Sequence, residues 1–268
     1  AATRMLVGPE LRTIFLGMDQ FRDELLYSNI KGKNPFKDKR VRQAFYQAID
    51  TEAIKKKVMR GLSEPSAMMV APGVHGGGNP KFKRLPYDPA ASNKLLAEAG
   101  YPDGFEVGMD CPNNRYVNDE QICLAAVSML AKVGIKVDLL AQPKSKYFGK
   151  ILAPKRDTSF YMLGWTPGSF DSYNPLNFLH HCPEESGKGK FNIGGYCNPE
   201  VDKLTTKINS ETDQAKRDAM IEQAWAMTIE DVAYVPLHQQ ALAWGVSNKV
   251  QLKQRPDNEF KWRHVVIE

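Results

Sequence analysis

The sequence predicts an α/β protein, with a parallel or mixed sheet flanked by helices. Three observations carry that prediction. Apolar runs at 105–109 and 135–140 bracket a stretch of helical periodicity that opens at Asn118 and stops at Gly134. Strand, helix and strand then follow at the spacing of a right-handed parallel βαβ unit. Residues 158–164, T-S-F-Y-M-L-G, are β-branched, aromatic or apolar and read as a buried strand. Between such runs the helices announce themselves by their ends, as at Asp88-Pro89, where a capping carboxylate precedes a proline at the first helical position.

The elements follow in order. Residues 12–19, R-T-I-F-L-G-M-D, read as a strand, and 31–35 as a loop. Asp38 caps a helix in which Val41, Ala44, Phe45, Ala48 and Ile49 recur at helical spacing. Thr51 caps a second helix, ended by Gly61. Residues 62–87, with G-G-G at 76–78 and four prolines, form a long irregular loop, a kind of segment that often serves function. His75 lies within it and reads as a solvated loop histidine. The helix from Asp88 runs to Gly100. In the helix after Asn118, Ile122, Ala125, Ala126, Met129 and Leu130 share a face. A short helix at 144–152 comes next. Later helices run from Asn198 to about 208 and from about 213 to 229, the second with Ala219, Met220, Ala224, Met227 and Thr228 as its apolar stripe. Y-V-P-L-H and A-L-A-W-G-V are two more strands.

Composition narrows the function classes. The chain has 268 residues, 42% hydrophobic and 25% charged, which suits a globular protein with a sizeable core. It has no apolar run of spanning length. Its first nine residues are too short in their apolar part for a signal peptide, so the signal of an exported protein would lie outside this chain. The net charge of +5 is spread along the sequence, without the aromatic-basic stripe that nucleic acid needs. G-x-S-x-G, H-E-x-x-H and phosphate-loop patterns are absent. His180-His181 is a weak metal signal, and Cys182 beside His181 is a weak nucleophile signal, because neighbours in an extended chain point apart.

The most informative stretch is 158–182. After its strand come the turn formers Pro167, Gly168, Ser169, Asp171, Ser172, Asn174 and Pro175. Trp165, Phe170 and Tyr173 stand among them. Loops at the carboxyl ends of buried strands are where open α/β sheets bind ligands. One carboxylate among rings is a seat for a cationic group. Equally, the rings could simply pin the loop to the core, and the two readings stand level. A second such turn follows 105–109. Its only cation, Arg115, beside Tyr116, could take a ligand carboxylate through paired hydrogen bonds or could pair with Asp119. Of the four cysteines, Cys182 and Cys197 flank a polar, glycine-rich loop. A bridge there would contribute about 3 kcal/mol and imply an oxidising compartment; two free thiols are the alternative. Cys111, read in a turn, and Cys123, read in a helix, have no assigned pairing.

Three patterns bring a family into view: G-W-x(5)-D-x-x-x-P-x-x-F-L at 164–179, P-F-x-D-x-R-V-R-Q-A-x-x-x-A-I-D at 35–50, and Y-D-P-x-x-A-x-x-L-L-x-E-A-G at 87–100, whose middle Ser92 and Asn93 alter here. Together they resemble the dipeptide- and oligopeptide-binding family 5 of extracytoplasmic solute-binding proteins of bacterial ABC importers. The resemblance implies a type II, cluster C periplasmic-binding-protein lobe. It implies that residues 1–19 end a first lobe, 20–240 form a carboxyl-terminal ligand-binding lobe, and 241–268 return to the first. It implies that Asp171 takes a peptide's α-amino group and that Arg115, through P-x-x-R, takes the carboxylate, with Trp165, Tyr173, Phe170 and Tyr116 around the ligand. It also implies a Cys182–Cys197 disulfide, a periplasmic location, and a monomer that hands a peptide or similar solute to a membrane permease. No cofactor or nucleic acid is expected. A metal- or haem-carrying importer component is the alternative, and a Cys/His hydrolase a more distant one.

Overall fold

The computed structural model describes residues 2–268. One mixed six-stranded sheet organises it. The strands are β1 (Thr3–Met18), β2 (Ser63–Pro65), β3 (Phe105–Pro112), β4 (Ile135–Gln142), β5 (Phe160–Trp165) and β6 (Val235–Ser247), in the spatial order β2-β6-β1-β5-β3-β4. β3 pairs in parallel with both β4 and β5, whereas β1 is antiparallel to β5 and β6, and β2 to β6. A small ribbon of β7 (Val250–Gln251) and β8 (Val266–Ile267) closes the chain.

Period-two alternation splits the core between the sheet's faces. On one face Ile14, Leu16 and Met18 of β1 join Phe160 and Met162 of β5 and Val107 and Met109 of β3. They pack under α1 (Lys39–Ala48), α3 (Pro89–Glu98) and α4 (Asp119–Ala131). On the other face Phe15, Tyr161 and Leu163 meet α5 (Lys144–Ile151), α7 (Pro199–Ser210) and α8 (Gln214–Glu230). The remaining helices are short: α2 (Thr51–Ala53), which widens into a π-helical turn over Ile54–Val58, and α6 (Tyr173–Pro175), which does the same over Leu176–His180.

The carboxylate and amide caps form as the sequence requires. Asp38, Asp88, Asn198 and Asp213 accept from the backbone N–H groups of Arg40, Ala91, Glu200 and Lys216. Three boundaries differ. Asp50, not Thr51, caps α2, accepting from the N–H of Ala53. Asn118 precedes α4 in a left-handed conformation (φ 54°) without a side-chain cap. β1 and β6 are each one long strand: 12–19 is only the inner part of β1, and the two runs of β6 join through Gln239 and Gln240. The stripe of α8 is also rotated. Ile221, Ala224, Trp225 and Thr228 are buried and Ala219 is exposed, because Trp225 reaches the core and donates to Ser172 Oγ at 3.0 Å.

Candidate functional site

The carboxyl ends of β3 and β5 open on the same edge of the sheet because the strands are parallel. Thr13 of β1 lies opposite Trp165, which carries Arg12 to that edge too. The loop after β3 turns back through Asp119, whose carboxylate is 3% exposed and accepts from the backbone N–H groups of Arg115 (2.8 Å) and Tyr116 (3.0 Å). That fixes the turn and sends Tyr116 inward, where its hydroxyl donates to the Gly164 carbonyl at 3.4 Å. Burial pushes the Tyr116 phenol's pKa up and keeps it neutral. The approach needs a glycine: a Cβ on Gly164 would stand 2.7 Å from the Tyr116 ring.

These elements enclose a recess of about 290 Å³, lined by Arg12, Arg115, Tyr116, Trp165, Thr166 and the rings of Phe148 and Phe191. The Arg115 guanidinium lies 5.0 Å from the Tyr116 ring centre and that of Arg12 lies 5.7 Å from it. Trp165 is held by its indole N–H, which donates to Asn174 Oδ1 at 2.9 Å, and by Phe191, centre to centre 5.0 Å. The recess thus offers guanidinium donors beside an aromatic shelf, the pairing of one apolar body with a few fixed polar groups that small-ligand sites use.

Of the residues singled out in sequence, Arg115, Tyr116 and Trp165 come together here. Asp171 does not join them. Its carboxylate receives both Nη groups of Arg217 (2.8 and 2.9 Å), lies 2.9 Å from His75 Nδ1, and accepts from the N–H of Tyr173 at 2.8 Å. Burial would raise its pKa, but these donors prevail and lower it to about 2. His75 is therefore not a free loop residue. Its Nε2 lies 2.6 Å from Asp218, and these hydrogen bonds raise its pKa. Phe170 is 54% exposed, and Tyr173 packs against the core beside α8. Arg115 pairs with Asp119 only through its backbone, so the ion pair weighed in sequence does not form. Arg12, Thr166, Phe148 and Phe191 went unrecognised in sequence; a charge inside the apolar run L-R-T-I-F was the signal for Arg12.

Residues 3–187 match the family model of the bacterial extracellular solute-binding proteins, family 5 Middle. The chain belongs to that family. Among curated relatives of this family 5 protein, heme-binding protein A of Haemophilus influenzae is 30% identical over 208 residues, covering 76% of this chain and 37% of that protein. Di/tripeptide-binding protein 3 of Pseudomonas aeruginosa is 29% identical over 206 residues, covering 76% and 38%. Among solved structures, the periplasmic binding protein DppA of Helicobacter pylori in complex with the peptide STSA superposes with a TM-score of 0.85 at 21% identity, covering all of this chain and 49% of that one. The match thus spans less than half of each relative's length. The structural likeness establishes a type II periplasmic-binding-protein fold.

The family 5 chain carries two disulfides. Cys182–Cys197 closes the expected loop, with Cα atoms 4.6 Å apart. Cys111–Cys123 ties β3 to α4 inside the core, so Cys111 is a strand residue and not a turn residue. Cys182 therefore has no thiol to act as a nucleophile. His180 and His181 are 1% and 2% exposed and lie against the carbonyls of Pro175 and Cys182. Burial lowers the pKa of His180 to about 4. No helix among the described residues is long and apolar enough to cross a membrane.

Proposed function

We propose that this family 5 chain supplies the ligand-binding lobe of an extracytoplasmic solute-binding protein, which captures a peptide or similar small solute and delivers it to the permease of an ABC importer. The observation that carries the reading is the recess at the strand ends, where Arg115, Tyr116 and Trp165 converge. Relatives named for di- and tripeptides and for glutathione favour a peptide-like solute. The two disulfides suit an oxidising compartment outside the cytoplasm. The paired outer halves of β1 and β6, which run beyond the other strands of the sheet, support a division in which 20–240 is the lobe and the flanking segments connect to another. The protein acts as a monomer and releases its ligand unaltered.

A metal- or haem-carrying role draws on the Haemophilus relative, but it would need ligands other than the buried His180-His181 pair. The test is mass spectrometry of whatever co-purifies with the protein, followed by calorimetry with that compound. The expected result is stoichiometric binding of a small solute recovered intact after prolonged incubation. Turnover of the ligand, lost on His181→Ala or on chelation, would show an enzyme instead.

A further inference from the structure

The turn between β3 and α4 forms one wall of the recess, and its shape depends on where α4 sits against β3. Asp119, the first residue of α4, accepts from the backbone N–H groups of Arg115 and Tyr116. A slip of α4 along the sheet would carry its carboxylate away from both. A capping side chain ordinarily fixes such a helix start. Here Asn118 stands in a left-handed conformation (φ 54°), and its amide donates away from the helix, to the Val58 carbonyl at 2.9 Å. The strand side of the turn is held by its neighbours: the Asn113 N–H donates to the Gln142 carbonyl at 3.1 Å, and Asn114 Oδ1 accepts from the Lys144 N–H at 2.7 Å. The helix side is held by the Cys111–Cys123 bridge. Cys111 is the second-last residue of β3, and Cys123 lies one turn beyond Asp119, so the bridge spans the whole turn. Both cysteines are 0% exposed and pack with Ile122, Ala126 and Met162. A thiol reductant reaches such a bridge only when the core opens. Cys197 of the other bridge is exposed.

We propose that Cys111 and Cys123 are positioning residues of the recess, and that the recess becomes able to bind solute only once this pair has been oxidised. This rests on the reading of the recess as the solute site. The oxidation is thiol–disulfide exchange with a disulfide R–S–S–R, carried by an oxidoreductase or a small thiol of the oxidising compartment. One cysteine thiolate attacks the disulfide and expels R–S⁻; the second then displaces the other R–S⁻ from the mixed disulfide. Two electrons and two protons pass from the cysteines to the oxidant, and two R–SH leave. With both thiols reduced, the buried face of α4, with Ile122, Ala126 and Leu130, still packs. Asp119 then loses its fixed register, and the turn at 113–118 loosens. Because the bridge closes inside the core, oxidation must precede or accompany the closing of that core. A chain that folds reduced keeps two buried thiols and a slack recess. Solute capture is thereby confined to chains that have met an oxidant.

The experiment uses the Cys182→Ser/Cys197→Ser protein, in which only the Cys111–Cys123 pair responds to redox conditions and the core keeps its own side chains. It is refolded from denaturant with and without a phosphine reductant, beside the parent chain and Cys111→Ala/Cys123→Ala. Amide hydrogen exchange reads the turn, and calorimetry with a panel of hydrophobic dipeptides reads binding. The Arg115 and Tyr116 amides should exchange at least tenfold faster in the reduced protein, while the inner amides of β1 and β5 stay protected alike. Dipeptide affinity should fall at least tenfold, and re-oxidation during a second refolding should restore both. Reductant added to the folded, oxidised protein should leave the bridge and the binding intact. Equal exchange at the turn in the two redox states overturns the inference. So does an equal loss of protection in the turn and the strands, which would show global destabilisation instead of positioning. Unchanged dipeptide affinity in the reduced protein overturns it as well. Absence of dipeptide binding by the oxidised parent, with the difference at the turn intact, overturns the peptide reading of the recess and supports the positioning role.

Discussion

Asp171 sits in a web of donors that no local stretch of sequence could supply. Its partner His75 is 96 positions away, and Arg217 lies 142 positions from His75. The web ties the long loop and the loop after β5 to α8. Its carboxylate titrates near 2 when folded, against about 3.9 when unfolded. A depressed acid stabilises above its unfolded pKa and loses that contribution as pH falls through its folded one. Asp171→Asn should therefore cost about 1–2 kcal/mol at pH 7 and nothing below about pH 2, measured by denaturant unfolding at both pH values. An equal loss at both would show that the charge is not what matters. His75 carries the opposite sign: its pKa is raised, so its contribution is present below about 6.5 and lost as pH rises through the folded value. At this scale the sequence revealed the residues at the strand ends, because Arg115, Tyr116 and Trp165 follow directly from strand boundaries. It hid His75, whose acidic partners are set by the tertiary fold, and Arg12, whose place over the Tyr116 ring depends on strand pairing rather than on its local partner Glu10. It also left Asp171 ambiguous, since a carboxylate among rings reads alike whether it meets a ligand or an arginine.

Strands and helices were legible where local chemistry and packing agree. The parallel pair β3 and β4 with α4 between them, and the capped starts of α1, α3, α7 and α8, need only nearby residues. β1 and β6 exceed their legible cores because Gly8-Pro9 and Gln239-Gln240 interrupt the pattern. Pro9 is tolerated where β1 pairs with β6 alone, and the side-chain amides of the two glutamines donate to Ser66 and Glu10. The loop closed by Cys182–Cys197 acts as an element in its own right, since it carries Phe191 to the shelf beside Trp165. Removing the bridge, as in Cys182→Ser with Cys197→Ser, should lower stability by about 3 kcal/mol. It should also weaken ligand binding, because Phe191 loses its fixed position. Non-reducing peptide mapping of protein from its native compartment should find the bridge intact; free thiols at both positions would remove it from the account.

Across the whole molecule, two buried neutral histidines lie on opposite faces of the one sheet. His180 packs edge-on against Trp225 and Tyr234. His238 is 1% exposed and sits on the Ile14 face of β6 near Arg84, with neither ring nitrogen partnered among the described residues. Burial lowers both pKa values to about 4, against about 6.5 when unfolded. Below about 6.5 the unfolded chain takes up protons that the folded chain refuses, so acid destabilises the fold progressively until pH reaches about 4. Each histidine accounts for up to about 3 kcal/mol of that loss. Because the two stand in different cores joined by one sheet, both layers should fail in a single transition. Stability measured by chemical denaturation from pH 7 to 4.5 should fall steeply in the parent chain. In His238→Gln, which keeps a polar side chain but cannot titrate, the fall should be shallower by about half. The slope should flatten further when His180→Gln is added. A parent and a double variant with parallel pH profiles would mean that acid acts elsewhere than at these two histidines.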